Sequence, residues 1–202
     1  QEYTYPDATL ANGLLLSNML LNRIRTRTFK GTGQTSSLAY HYSGNTIWPV
    51  SVSRSFGEGP QTTLFTLDRY DERGNLLQST DPNGISTTYL WGYGGTRLVA
   101  EIRNAAYQQV ANVLGQARID AMTDRITLSE SDIAALEGLR SAVALGDTQI
   151  TTYTHHPIFG VTSRTDPRGV RTSYLYDETG RIKEIADDAG NPVVAYDYKY
   201  RK

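Results

Sequence analysis

The chain of 202 residues is long enough for one ordinary globular domain and too short for two comfortable ones. With 20 Lys and Arg against 21 Asp and Glu it carries a net charge of -1, which gives no global basic field of the kind that draws nucleic acid. The absence of cysteine excludes a disulfide framework, a thiolate zinc site, an iron–sulfur cluster and a cysteine nucleophile. The unusual feature is 14 Tyr against 4 Phe and 2 Trp, a bias that suits rings buried on one side and wet at the hydroxyl, as on half-exposed strands.

Along the chain, the longest apolar cluster is Leu14, Leu15 and Leu16 with Met19, Leu20 and Leu21, broken by Ser17 and Asn18. It falls short of the ~20 apolar residues of a membrane helix, so no membrane span is expected. It also lacks the basic flank and small-residue cleavage site of a signal peptide. Together with a first residue of Gln, this suggests a mature start or a piece of something longer. Arg23, Arg25 and Arg27 alternate with Ile24 and Thr26, which predicts three cations on one face of a strand. An edge-protecting face is the simpler reading and an anionic-ligand surface its competitor. Residues 38–42, 85–91 and 170–176 alternate apolar and polar positions and are rich in Thr and Tyr, the pattern of antiparallel strands.

Between residues 108 and 152 there is no tyrosine, and the composition turns to Ala, Leu and acidic residues at helical spacing. One helix is expected from near Asn104 through Tyr107, Val110, Val113 and Leu114 to Gly115. A second is expected over about 130–143, capped by Ser129 with Asp132 three residues on, its face formed by Ile133, Leu136, Leu139 and Val143. Both read as helices packed on a sheet.

Internal repetition is the most informative feature. Residues 80–91, which begin Thr80, Asp81, Pro82, Asn83, Gly84 and carry Tyr89 and Trp91, recur at 165–176 as Thr165, Asp166, Pro167, Arg168, Gly169 with Tyr174 and Tyr176. A second unit, Tyr70, Asp71, Glu72, Arg73, Gly74, Asn75, Leu76, returns as Tyr176, Asp177, Glu178, Thr179, Gly180, Arg181, Ile182. Gly169 to Gly190 and Asp166 to Asp187 are each separated by 21 positions, so one repeat is about two short strands and two turns. In Asp-Pro-x-Gly, proline presets φ for a type I turn, aspartate caps the backbone and glycine accepts a positive φ. Tyr-Asp-x-x-Gly does the same at the other end of the hairpin.

These residues resemble the YD repeat of Rhs-type proteins: tyrosine-aspartate, two variable residues, Gly-Arg-hydrophobic, an Asp-x-x-Gly turn and a Tyr-containing strand. The match is close at residues 176–182 and at Asp187, Asp188, Ala189, Gly190, and at 70–76 Asn75 stands where arginine is usual. The recognisable repeats cover about 65–103 and 148–200, and the arrangement is similar to the large YD-repeat surface proteins of Bacteroides-type bacteria. The resemblance implies a mainly β fold: an open, twisted antiparallel hairpin-repeat sheet with a small two-helix insertion at about 104–147. That gives one repeat-type domain over 1–202, β-rich at 1–103 and 148–202. It further implies an extracellular or bacterial cell-surface location, and full-length members wrap into a shell that encloses a toxin domain or form an adhesive surface. Its partners would be the rest of the parent polypeptide, or another copy met through the sheet edges.

His155 and His156 are adjacent, so in a strand they point to opposite faces and do not readily share a metal. There is no Gly-x-Ser-x-Gly elbow, and Glu184, Asp187 and Asp188 read as turn carboxylates rather than a glycosidase pair. No catalytic residue, metal or cofactor is expected. Two rivals to a structural role stand. Trp48, Trp91 and Tyr93, beside Tyr89, Tyr174 and Tyr176, offer rings that can stack on glycans or form cross-strand ladders. Asp-Pro-x-Gly at Asp81 and Asp166 is also the core of an aspartate-dependent self-cleavage motif in Rhs toxins, although Ile85 and Val170 stand where that motif continues with Leu or Trp.

Overall fold

A computed structural model describes residues 1–7, 13, 14, 17, 19 and 21–199. Leu15, Leu16, Asn18 and Leu20 of the apolar cluster and Tyr200 lie outside the described residues. The fold is mainly β: among the described residues, thirteen antiparallel strands whose order in one open sheet is their order in the chain. Alternation of Thr, Ser and Tyr with apolar residues makes the strands, and Gly-containing turns end them. The chain divides into two compact units, residues 1–86 and 87–202.

The first unit holds β1 (Glu2–Thr4), β2 (Arg25–Lys30), β3 (Gly33–His41), β4 (Ser51–Phe56), β5 (Thr62–Tyr70) and β6 (Leu76–Thr80). Among its described residues an apolar cluster is formed by Leu14 and Ile24 with Tyr42 and Ile47 against them. Much of what it buries is polar: Ser37, Ser53, Ser55 and Ser79. Of the three alternating arginines, Arg25 and Arg27 lie in β2, whereas Arg23 precedes it and sets its guanidinium 4.3 Å from the centre of the Tyr3 ring.

The second unit holds β7 (Ser86–Gly92), β8 (Arg97–Arg103), β9 (Gln149–His156), β10 (Gly160–Thr165), β11 (Arg171–Tyr176), β12 (Ile182–Ala186) and β13 (Pro192–Ala195). β8 and β9 pair directly, Arg103 opposite Gln149, so everything between them is one long hairpin loop. That loop contains α1 (Tyr107–Leu114), α2 (Gln116–Asp124) and α3 (Glu130–Gly138), then short 3-10 turns at Leu139–Ser141 and Val143–Leu145. Tyr107, Val110, Ile119, Met122, Leu136, Leu139 and Leu145 from this segment bury with Leu90, Val99, Ile102 and Ile150 of the strands. Each such side chain contributes on the order of 1.5–3 kcal/mol. Gly92 permits the approach, since a Cβ there would lie 2.8 Å from Val99 Cγ1 and 3.4 Å from the Met122 carbonyl.

The helical expectations need three corrections. The insertion has three helices among the described residues, not two, because α2 follows α1 directly across Gly115 at φ 84°. Asn104 is not helical; at φ 65° it ends β8, and α1 starts at Tyr107 with Gln109 Oε1 accepting from the Ala106 N–H. The helix begun at Ser129 ends at Gly138 instead of 143, and in the 3-10 turns that follow Val143 is 98% exposed while Leu145 takes the buried place. The Ser129 cap with its Asp132 partner is formed as expected, with Ser129 Oγ accepting from the Asp132 N–H.

Candidate functional site

The repeated Asp-x-x-Gly-x segments fold into five copies of one loop, at Asp71, Asp81, Asp166, Asp177 and Asp187. In each, the aspartate N–H donates to the carbonyl four residues on, at 3.0, 3.0, 3.0, 2.8 and 2.9 Å respectively. The glycine N–H of each closes a tighter turn onto the aspartate carbonyl at 2.9–3.1 Å. That glycine sits at φ between 80° and 87° at Gly74, Gly84, Gly169, Gly180 and Gly190. This is the three-residue hairpin loop, a type I turn completed by a left-handed residue. Oδ1 of every one of these aspartates accepts two backbone N–H groups, from the second and fourth residues after it. Those bonds lower the pKa of Asp166, Asp177 and Asp187, led in each case by the N–H of the fourth residue. The fourth residue also reaches Oδ2 where it is polar: Asn75 at 2.9 Å, Arg181 at 2.6 Å and Asn191 at 3.3 Å. Pro82 and Pro167 occupy the second position of their loops, where no N–H is needed.

The tyrosine before the aspartate has a separate task. Tyr70 donates its hydroxyl to the Pro49 carbonyl at 2.8 Å and Tyr176 to the Val161 carbonyl at 2.7 Å, each tying its strand end to the preceding hairpin. Tyr198 repeats the bond onto the Ile182 carbonyl at 2.8 Å, with the Arg181 guanidinium 4.1 Å above its ring. Burial raises the phenol of Tyr70 to about 12, with Tyr42 adding to the effect, and burial likewise raises Tyr176. A third component was not legible as a motif. Trp48 stacks on Tyr70 at 5.3 Å, and a Cβ on Gly74 would come 2.7 Å from its Nε1. Phe159 takes the corresponding place at the other repeat, its ring tilted by 39° and 5.8 Å from that of Tyr176, and 2.8 Å from a Cβ placed on Gly180. An aromatic side chain from the preceding loop therefore plugs each Tyr-Asp-x-x-Gly unit.

Arg140 holds the helical insertion to the sheet. Its guanidinium donates to the carbonyls of Ile150, Thr165 and Asp166, to Thr152 Oγ1 and, at 3.0 Å, to Glu137 Oε2. Although burial pushes Glu137 upward, hydrogen bonds from Thr152 and Arg140 more than offset it and hold the carboxyl below its ordinary value. Nothing in the hydrophobic spacing marks Arg140, whose partners are mostly backbone carbonyls.

The other proposed site residues are dispersed in role. Trp48 is engaged with Tyr70 and Gly74 as described. Tyr93 is only 9% exposed, sits at φ 56°, and accepts the His155 N–H through its hydroxyl at 2.8 Å. Trp91 is half-buried on β7, as are Tyr89 and, on β11, Tyr174. His155 bonds the Leu98 carbonyl through Nε2 at 2.8 Å, while His156 Nδ1 accepts from the N–H groups of Ile158 and Phe159 and its ring stacks on Phe159. Asp188 accepts the Arg171 N–H at 3.1 Å.

The RHS Repeat family model matches the chain over residues 70–108 and 160–192. The first match opens on Tyr70 and the second runs through the Asp166, Asp177 and Asp187 loops. Comparison with curated proteins returns no match. With the same loop built at each motif in both matched segments, residues 70–108 and 160–192 are RHS repeats of the Rhs/YD type.

Proposed function

We propose that this chain is a non-enzymatic structural segment of a larger Rhs/YD-repeat protein of the bacterial surface or secretome, whose sheet presents or encloses another domain. The observation that carries this reading is the fate of the five loop aspartates: each has Oδ1 doubly bonded to its own loop backbone. A carboxylate held in that way is a turn-former, and Asp81 and Asp166 are held no differently from Asp71, Asp177 and Asp187. The strand edges supply unpaired N–H and C=O groups for the rest of the parent chain.

Prolonged incubation followed by intact-mass spectrometry, together with a glycan array, tests the proposal. The expected outcome is an uncleaved chain with no reproducible glycan binding. Cleavage that is lost in Asp166→Asn, or glycan binding abolished by Trp91→Ala with the fold retained, would overturn it.

A further inference from the structure

The first unit contains a trough of about 360 Å³ on one face of β2, β3 and β4, closed on one side by the loop at residues 58–61. Its floor follows from register. Arg27 lies opposite Ser37 and Ser37 opposite Ser55; one rung along, Arg25 lies opposite Ala39 and Ala39 opposite Ser53. Each rung thus runs from a cation to two small residues, and the small residues make the hollow. Ser37, Ser53 and Ser55 are 3%, 3% and 2% exposed.

The hydrogen bonds over this floor are polarised. Ser53 donates its hydroxyl to Gln61 Oε1 at 2.9 Å, so its contact with His41 Nε2 at 2.7 Å is one in which the imidazole N–H donates. Gln61 Nε2 in turn donates to Ser37 Oγ at 3.2 Å and to Ser55 Oγ at 3.4 Å. Both of those serines are therefore acceptors toward Gln61, and each keeps its own O–H for a further acceptor. Arg25 and Arg27 stand beside them on the lining, and Arg27 already meets one carboxylate, that of Glu2, at 3.3 Å across an exposed contact. Buried hydroxyl donors together with two guanidinium groups make an environment for an oxyanion, and the planar fork of arginine suits a carboxylate. Glu58 on the same lining adds an acceptor for a donor elsewhere on the bound molecule, and Phe29 contributes an apolar wall.

We propose that this trough binds a small polar carboxylic acid, its carboxylate on Arg25, Arg27 and the Ser37 and Ser55 hydroxyls and an ammonium or hydroxyl group toward Glu58. The site uses no residue of the repeat loops, so its failure would leave the scaffold reading intact. Calorimetric titration of the intact chain with L-glutamate, glutarate, inorganic phosphate and glycerol tests it. Saturable binding of glutamate is expected, with weaker binding of glutarate and none of glycerol. Arg25→Gln should weaken glutamate by about tenfold, the loss that accompanies removal of a charge-assisted hydrogen bond. Ser37→Ala, a smaller change, should weaken it less, and circular dichroism checks that both variants fold. Glu58→Gln should abolish the preference for glutamate over glutarate while leaving glutarate binding in place. Absence of saturable binding by both acids, phosphate binding as tight as glutamate, or unchanged affinity in folded Arg25→Gln would each overturn the proposal.

Discussion

Asp177 sits well below its ordinary carboxylate value of 3.8 because the Arg181 N–H, the Thr179 hydroxyl and the Arg181 guanidinium all bond its charged form. A depressed folded pKa means that its contribution to stability is fully present above the unfolded value and is lost as pH falls toward the folded one. Acid unfolding followed by circular dichroism should therefore show wild-type stability declining below about pH 3.9, and the decline should be shallower in Asp177→Asn. The glycines three residues after the loop aspartates offer a sharper contrast. Gly169→Ala meets open space and bears only the cost of a left-handed backbone, about 1–2 kcal/mol. Gly180→Ala at φ 80° additionally drives its Cβ to 2.8 Å from the Phe159 ring, and the overpacking adds ~1–3 kcal/mol. Urea denaturation of the pair should rank Gly180→Ala clearly below Gly169→Ala. At this scale the sequence was readable, because Asp, Pro and Gly act on their own few residues of backbone. The plugs were not, since Trp48 and Phe159 meet their glycines only after the strands have paired.

Among elements, α3 illustrates what local rules do and do not determine. Its start is set by Ser129 and Asp132, which bond each other's backbone N–H groups within one turn, so spacing alone reveals it. Its end depends on where Leu139 and Leu145 find burial, and a continuous helical face through Val143 is given up to achieve it. α2 was missed for a related reason: only Ile119 and Met122 of its nine residues are buried, too few to stand out as a stripe. Beside the apolar contacts of this segment, its densest polar attachment is Arg140, 17% exposed at the side chain, with its Glu137 partner. Arg140→Met leaves the carbonyls of Ile150, Thr165 and Asp166 without that donor and Glu137 without its cation. A loss of about 2–4 kcal/mol is expected in chemical denaturation. Hydrogen exchange should quicken in α3 and β10 more than in β12.

For the whole molecule, the two units differ in what they bury. Among the described residues, 87–202 contain nearly all of the large buried apolar side chains, whereas 1–86 bury serines on their sheet and a cluster around Leu14 and Ile24. Repeat proteins lose cooperativity when neighbouring units differ in stability. Each unit has its own tryptophan, Trp48 in the first and Trp91 in the second. Fluorescence of Trp91→Phe, which reports Trp48, should thus show a lower urea midpoint than fluorescence of Trp48→Phe, which reports Trp91. Coincident midpoints would show one cooperative fold instead. The antiparallel, sequential sheet was legible from the 21-residue recurrence, because a repeat that closes on itself at each turn can only add strands side by side. The unequal burial was not, since Ser and Thr on a strand give no sign of which face will be covered.

The pairing of Arg103 with Gln149 has a consequence for how such chains diversify. At that junction a hairpin tip has been exchanged for a folded subdomain, and the ladder resumes in register on the far side. The tips are thus cloning ports in the architecture: a strand needs a neighbour, and it is indifferent to the route the chain takes to reach it. The aspartate loops, each closed by bonds to its own backbone, are the default filling of those ports.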